Sequence, residues 1–153
     1  MSKSVISVFL ALLLINMVLA ASPDFKTFPM LTLLVKEYNE KEMNLYDALQ
    51  NNNIKIINDY LADDFEERVS THPNQPIPRK EWIDRMLKFP HLQKRMIQQM
   101  AVRNLDFINI VSYLWAWPKN AKKGTPSYYV IDIWKEKENK TQLMARYIAS
   151  VNL

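Results

Sequence analysis

The sequence contains no cysteine. That absence excludes a disulfide framework, a thiol nucleophile, a thiolate metal site and a lipid-modified cysteine. Glycine is nearly missing as well: Gly124 is the only one. Phosphate-cradling glycine loops and a Gly-x-Ser-x-Gly nucleophile turn are therefore excluded. Histidine occurs twice, at His72 and His91, both in proline-flanked stretches. Neither belongs to a His-x-x-His or Glu-x-x-His pattern, so no metal site and no cofactor are expected. There is little excess charge. The formal net charge is +4 over 153 residues, and basic residues alternate with acids except in 79–95 and 118–124. Such a surface is a solvated face, and no nucleic-acid partner is expected.

The chain has one long apolar run. "MSKSVISVFLALLLINMVLAAS" opens with Lys3, continues apolar from Val5 to Leu19 and offers small residues around Ala20. This is the pattern of a secretory signal peptide over residues 1–20, with export to the periplasm or medium as its consequence. The run is short for a bilayer span of about 20 residues and lacks a basic stop-transfer flank, so no stable membrane association is expected after cleavage. Residues 21–29, holding Pro23 and Pro29, read as an arm, and 30–153 as one domain with a single core.

Within that domain, residues 30–53 carry Leu31, Val35, Tyr38, Leu45 and Leu49 at helical spacing and end in three turn-forming asparagines. Residues 54–65, "IKIINDYLADDF", place Ile54, Ile57 and Leu61 on one face of a second, shorter helix. "FEERVS" alternates like a strand, the proline-rich "THPNQPIP" breaks it, and 79–89 form a third helix with Trp82 and Met86 four residues apart. The period then changes to two. Runs at 94–104, 106–117, 127–137 and 141–150 are rich in β-branched and aromatic residues and closely spaced, as in an antiparallel meander. Helices first and strands afterwards predict an α+β domain, three helices packed on a mainly antiparallel sheet. "DFINIVSYLWAW" and "YYVIDIW" are apolar on both parities. A sheet with one face in water alternates cleanly, so both faces are expected to be covered, one by helices and one by a partner subunit. The expectation is a homodimer through the open sheet face; a sheet curled over itself is the alternative.

The order helix, helix, Leu61–Phe65 ("LADDF"), strand, Arg79–Trp82 helix start, then a meander holding Asp132-Ile133-Trp134 resembles the nuclear transport factor 2-like superfamily. The likeness is to its SnoaL-like, ketosteroid-isomerase-like branch and covers about residues 30–151. The resemblance implies a curved sheet and helices enclosing a conical pocket, usually in a dimer. It also implies a spread of functions from isomerases, cyclases and dehydratases to non-catalytic binders, so fold alone does not give function.

Two sets of carboxylates invite chemistry. Asp63 and Asp64 are adjacent, and neighbouring strand residues point to opposite faces, so they read as a structural joint rather than a dyad. Asp132 sits mid-strand between Ile131 and Ile133, where burial without partners is unfavourable and raises a carboxyl pKa; in a structural role it accepts bonds from Arg146, Tyr147 or a helix side chain. In the resembling isomerases the matching position holds an oxyanion-stabilising acid, but the position of their general base is Val69 here. Their helical tyrosine falls near Leu45, with Tyr46 beside it. These residues admit three functions. The first is an exported, non-catalytic binder of a small apolar or amphipathic molecule, with Tyr38, Tyr46, Trp82, Trp115, Trp134 and Tyr147 lining its pocket. The second is an enzyme with Asp132 as acid/base or oxyanion donor, helped by Tyr38 or Tyr46. The third is an interaction module whose open sheet face binds a different protein.

Overall fold

Helix α1 spans Thr27–Gln50 in the computed structural model, which describes residues 27–88, 96–117 and 126–151, with side chains from residue 32 onward. The signal-like segment, His91, Gly124 and the basic stretch 118–124 lie outside the described residues. The chain divides into two units, Met1–Leu33 and Leu34–Leu153, and every described strand lies in the second. α1 starts earlier than the apolar pattern from Met30 implies. Pro29 is accommodated because the first N–H groups of a helix have no intrahelical partner to lose.

The buried positions of α1, among them Tyr38, Glu42, Leu45, Tyr46 and Leu49, recur at helical spacing and form one stripe. Three asparagines then turn the chain. Asn52 takes a φ of 52°, a left-handed conformation that asparagine tolerates. Asn51 and Asn53 donate their N–H groups to the Asp47 and Ala48 carbonyls at 3.0 and 2.8 Å, closing the helix. Asn53 also caps α2 (Ile54–Tyr60), its side chain accepting from the Ile56 N–H at 3.2 Å.

After α2 come β1 (Leu61–Val69), β2 (Ile77–Pro78), α3 (Arg79–Lys88), β3 (Met96–Leu105), β4 (Ile108–Ala116), β5 (Ser127–Lys137) and β6 (Lys140–Val151). They form one six-stranded sheet in the order β2-β1-β6-β5-β4-β3. β3 to β6 are the expected antiparallel meander. β1 closes against β6 in parallel, so first and last strands of the domain are neighbours. Two expectations need correction. "LADDF" is not the end of a helix: α2 stops at Tyr60 and the strand has begun at Leu61. Nor does α2 bury Ile54, which is exposed while Ile57 and Leu61 are buried, because so short a helix presents only a narrow stripe. Asp63 and Asp64 lie exposed where the β1–β6 register slips between Leu61 and Glu66.

Strand alternation decides what each sheet face carries. On the inner face, Val111, Tyr113, Val130, Trp134 and Leu143 are buried with helix residues Tyr38, Leu45, Leu49 and Ile57 and with Trp82 of α3. The inner face also holds polar groups. Asp132 lies opposite both Val111 and Arg146 in register, so those side chains share the face.

Candidate functional site

Arg146 is the centre of the inner face. Strand β6 reads Leu-Met-Ala-Arg-Tyr-Ile, and alternation sends Arg146 inward among apolar neighbours, where it has no accessible surface. A guanidinium so placed requires anionic partners, and three elements supply acceptors. From β5, Asp132 accepts bidentately: Arg146 Nε donates to Oδ1 at 2.7 Å and Nη2 to Oδ2 at 2.6 Å. From α1, Glu42 Oε2 accepts from Nη2 at 2.7 Å, and one turn on the Tyr46 hydroxyl accepts from Nη1 at 2.9 Å. From β4, the Tyr113 hydroxyl lies 3.2 Å from Nη2, 2.9 Å from Asp132 Oδ2 and 3.1 Å from Glu42 Oε2. The rings of Trp115, Tyr46 and Trp82 stand 5.5 to 5.8 Å from the guanidinium carbon, an aromatic wall suited to a cation.

The charges do not balance if every group ionises. Glu42, Asp132 and Arg146 are each 0% exposed, and two carboxylates against one guanidinium would leave a buried negative charge. Burial, reinforced by the Asp132 carboxylate and only partly offset by Arg146, holds the Glu42 carboxyl well above its ordinary pKa. Glu42 is therefore the neutral member. Burial likewise pushes the Tyr46 and Tyr113 hydroxyls up, so both keep their protons. Burial opposes the Arg146 charge, but Asp132 first, then Tyr113, Tyr46 and Glu42, outweigh it and raise its pKa well above normal. Next to this cluster, Trp82 Nε1 donates to Glu67 Oε2 at 2.8 Å. Burial raises the Glu67 pKa against the pull of Arg146. Glu42 Oε1 and Trp134 Nε1 are buried without a hydrogen-bond partner.

The candidate residues from the sequence divide into three groups. Asp132, Tyr46, Trp82 and Trp115 come together around Arg146. Tyr38 and Trp134 form a neighbouring pair with ring centroids 5.7 Å apart, and burial raises the Tyr38 pKa. Tyr147 does not join them: next to inward Arg146 it points to the outer face and is 40% exposed. There it lines a groove of about 450 Å³ with Arg68, Pro73, Tyr129, Ile131 and Ala149. Val69, in the position of the isomerase base, supplies no titratable group there. Two partners escape a reading of the sequence. Glu42 carries a signal, since an acid interrupts the apolar stripe of α1 at the spacing of Tyr38, Leu45 and Leu49. Tyr113 looks like any other aromatic of the core.

Chemically, the arrangement is closed. Any space large enough for water beside Asp132 or Arg146 would leave accessible area on them, and there is none. Both Asp132 oxygens accept from Arg146, and the residue has no accessible surface. Among the described residues, no group of three or more His, Cys, Asp or Glu side chains is placed to hold a metal ion.

No family model and no curated protein matches the sequence. Solved structures do match. An NTF2-like protein of unknown function from Pseudomonas putida superposes with a TM-score of 0.59 at 11% identity, over 77% of this chain and 87% of that one. A CaMKII hub from S. rosetta gives 0.57 at 14% identity, over 76% and 96%. An NTF2-like protein of unknown function in nutrient uptake from Rhodospirillum rubrum gives 0.54 at 15% identity, over 74% and 98%. At these identities the likeness carries the fold: the chain has the NTF2-like α+β fold, helices on a curved mixed sheet.

Proposed function

We propose that the protein is an exported, non-catalytic interaction module that pairs with a second copy of itself through the outer face of its sheet. One observation carries this reading. The outer positions of the central strands fall into register as an apolar surface: Ile110 beside Ile133 and Ala145, Ser112 beside Ile131 and Tyr147, Leu114 beside Tyr129 and Ala149. Tyr129 and Tyr147 on it are 43% and 40% exposed, Ile110, Ile131 and Ile133 are half-buried, and Leu114 and Ala145 are buried. Contiguous apolar area of this kind on a soluble domain marks an interaction site. An isologous pair of such faces is self-complementary by symmetry. The closed inner face supports the non-catalytic part of the reading, because it offers a substrate no accessible group.

Light scattering at micromolar concentration is expected to give a dimer for the wild type. Ile131→Lys, which places a charge in the middle of the face, is expected to give a folded monomer. A monomeric wild type would sink the dimer. Export is read from the signal-like segment alone. N-terminal sequencing of protein recovered outside the cytoplasm is expected to begin at Ala21, and an intact Met1 terminus there would oppose it.

A second reading keeps the SnoaL-like binder of a small apolar or amphipathic molecule. The unpartnered Glu42 Oε1 and Trp134 Nε1 favour it, since a polar atom of a ligand would satisfy each. Such a ligand has to displace side chains to enter. Native mass spectrometry of protein purified from its host would reveal it as an added mass.

A further inference from the structure

The polar bridge between α1 and the sheet holds an odd number of charges, and its geometry says how that is resolved. Glu42 Oε2 and Asp132 Oδ2 both take hydrogen bonds from the same Arg146 nitrogen, at 2.7 and 2.6 Å. Both also lie within reach of one Tyr113 hydroxyl, at 3.1 and 2.9 Å. That hydroxyl has a single hydrogen and satisfies one of the two. Two carboxylate oxygens converging on the same two donors repel unless a proton lies among them. Among the described residues, four groups face Glu42. They are Tyr46 one turn along α1, Tyr113 on β4, Asp132 on β5 and Arg146 on β6. Glu67 of β1 and Trp82 of α3 also approach Arg146. None of them is a second cation that would neutralise an ionised Glu42.

We propose that the contact between α1 and the sheet is a proton-gated latch: one proton held among the Glu42, Asp132 and Tyr113 oxygens keeps α1 seated on Arg146, and its loss releases the helix. The closed state holds the proton. In the open state Glu42 meets water, returns to its ordinary pKa near 4.5 and gives the proton up. The direction of the pH dependence is set by that difference. The protonated form is favoured by closure, so the latch contributes its full stability below about pH 4.5 and loses it steadily as pH rises toward the closed-state value. Wherever the pH lies between the open-state and closed-state values, opening releases a proton. The open fraction of α1 then rises by up to about tenfold per pH unit. Opening would expose the Arg146 guanidinium and its aromatic wall to solvent, and rising pH, rather than falling pH, is the trigger.

Hydrogen exchange on the full chain tests this. Amide exchange of residues 38–49, divided by the intrinsic rate at each pH, is expected to accelerate as pH rises from about 6 to about 8, by up to about tenfold per unit. Amides of β4 and β5 over the same range are expected to change far less. In Glu42→Gln, which keeps the shape and cannot ionise, the acceleration is expected to vanish. A pH-independent α1 in the wild type overturns the proposal. So does an equal slope in Glu42→Gln, or an equal slope in the sheet amides, which would mean global loosening rather than a latch. If Glu42→Gln does not fold, infrared spectra of the wild type decide: the stretch of a neutral, buried carboxylic acid is expected at neutral pH. Its absence would refute the held proton.

Discussion

Arg146 shows how one residue sets the chemistry of its surroundings. A buried guanidinium demands acceptors, and Asp132 gives two while Glu42, Tyr46 and Tyr113 share the rest. The members are not equal. Removing the cation strands Asp132 in a site closed to water, whereas neutralising Glu42 leaves an uncharged acceptor where an uncharged acid already sits. Arg146→Met is therefore expected to lose about 3 to 5 kcal/mol in urea unfolding followed by tryptophan fluorescence. Glu42→Gln is expected to lose only about 1 kcal/mol below about pH 4.5, and less or nothing at neutral pH, where only the wild type has to take up a proton on folding. Equal losses would mean that Glu42 is ionised in the folded protein, contrary to the charge balance of the cluster. The same contrast separates structure from catalysis, because an Asp132 held by both oxygens is a strut between two strands.

At the scale of elements, what the sequence reveals and what it hides have separate physical causes. Periodicity reads burial, and where one stripe is buried it is legible: α1, α3 and the four meander strands lie close to where their apolar spacing puts them. Trp82 and Met86, four apart on α3, are buried as their spacing implies. The pairing of β1 with β6 is not legible, since parallel neighbours distant in sequence leave no local trace. The end of α2 is obscured for a related reason. Leu61 suits the buried stripe of a helix and the first inward position of a strand equally, and tertiary pairing with Leu143 decides between them. The site is half legible. Asp132 announces itself as a charge inside an apolar strand with Arg146 among its candidate partners, and the register that sets Arg146 opposite it decides for Arg146 over Tyr147. The ring of Tyr147 suggests a pocket residue, yet its parity beside Arg146 sends it to the other face. An arginine inside an apolar strand is the signal that fixes that parity.

For the whole molecule, the two faces of the sheet answer different needs. The inner face is sealed by three helices and spends its polar groups on one another, so it gives the domain its identity without presenting a surface. The outer face carries partly exposed isoleucine and tyrosine where a monomer in water would carry charge. If a second copy covers it, folding and association are one equilibrium, and stability acquires a dependence on concentration that a monomer lacks. Each tenfold rise in protein concentration then adds about 1.4 kcal/mol per dimer, and the melting temperature climbs with it. Calorimetry over a hundredfold dilution series is expected to show that climb in the wild type. In Ile133→Lys, whose substitution lies on the outer face and leaves the Arg146 network intact, the melting temperature is expected to be lower and independent of concentration. A wild-type melting temperature unmoved by dilution would show that the sheet face is content in water, and the interaction reading would fall with it.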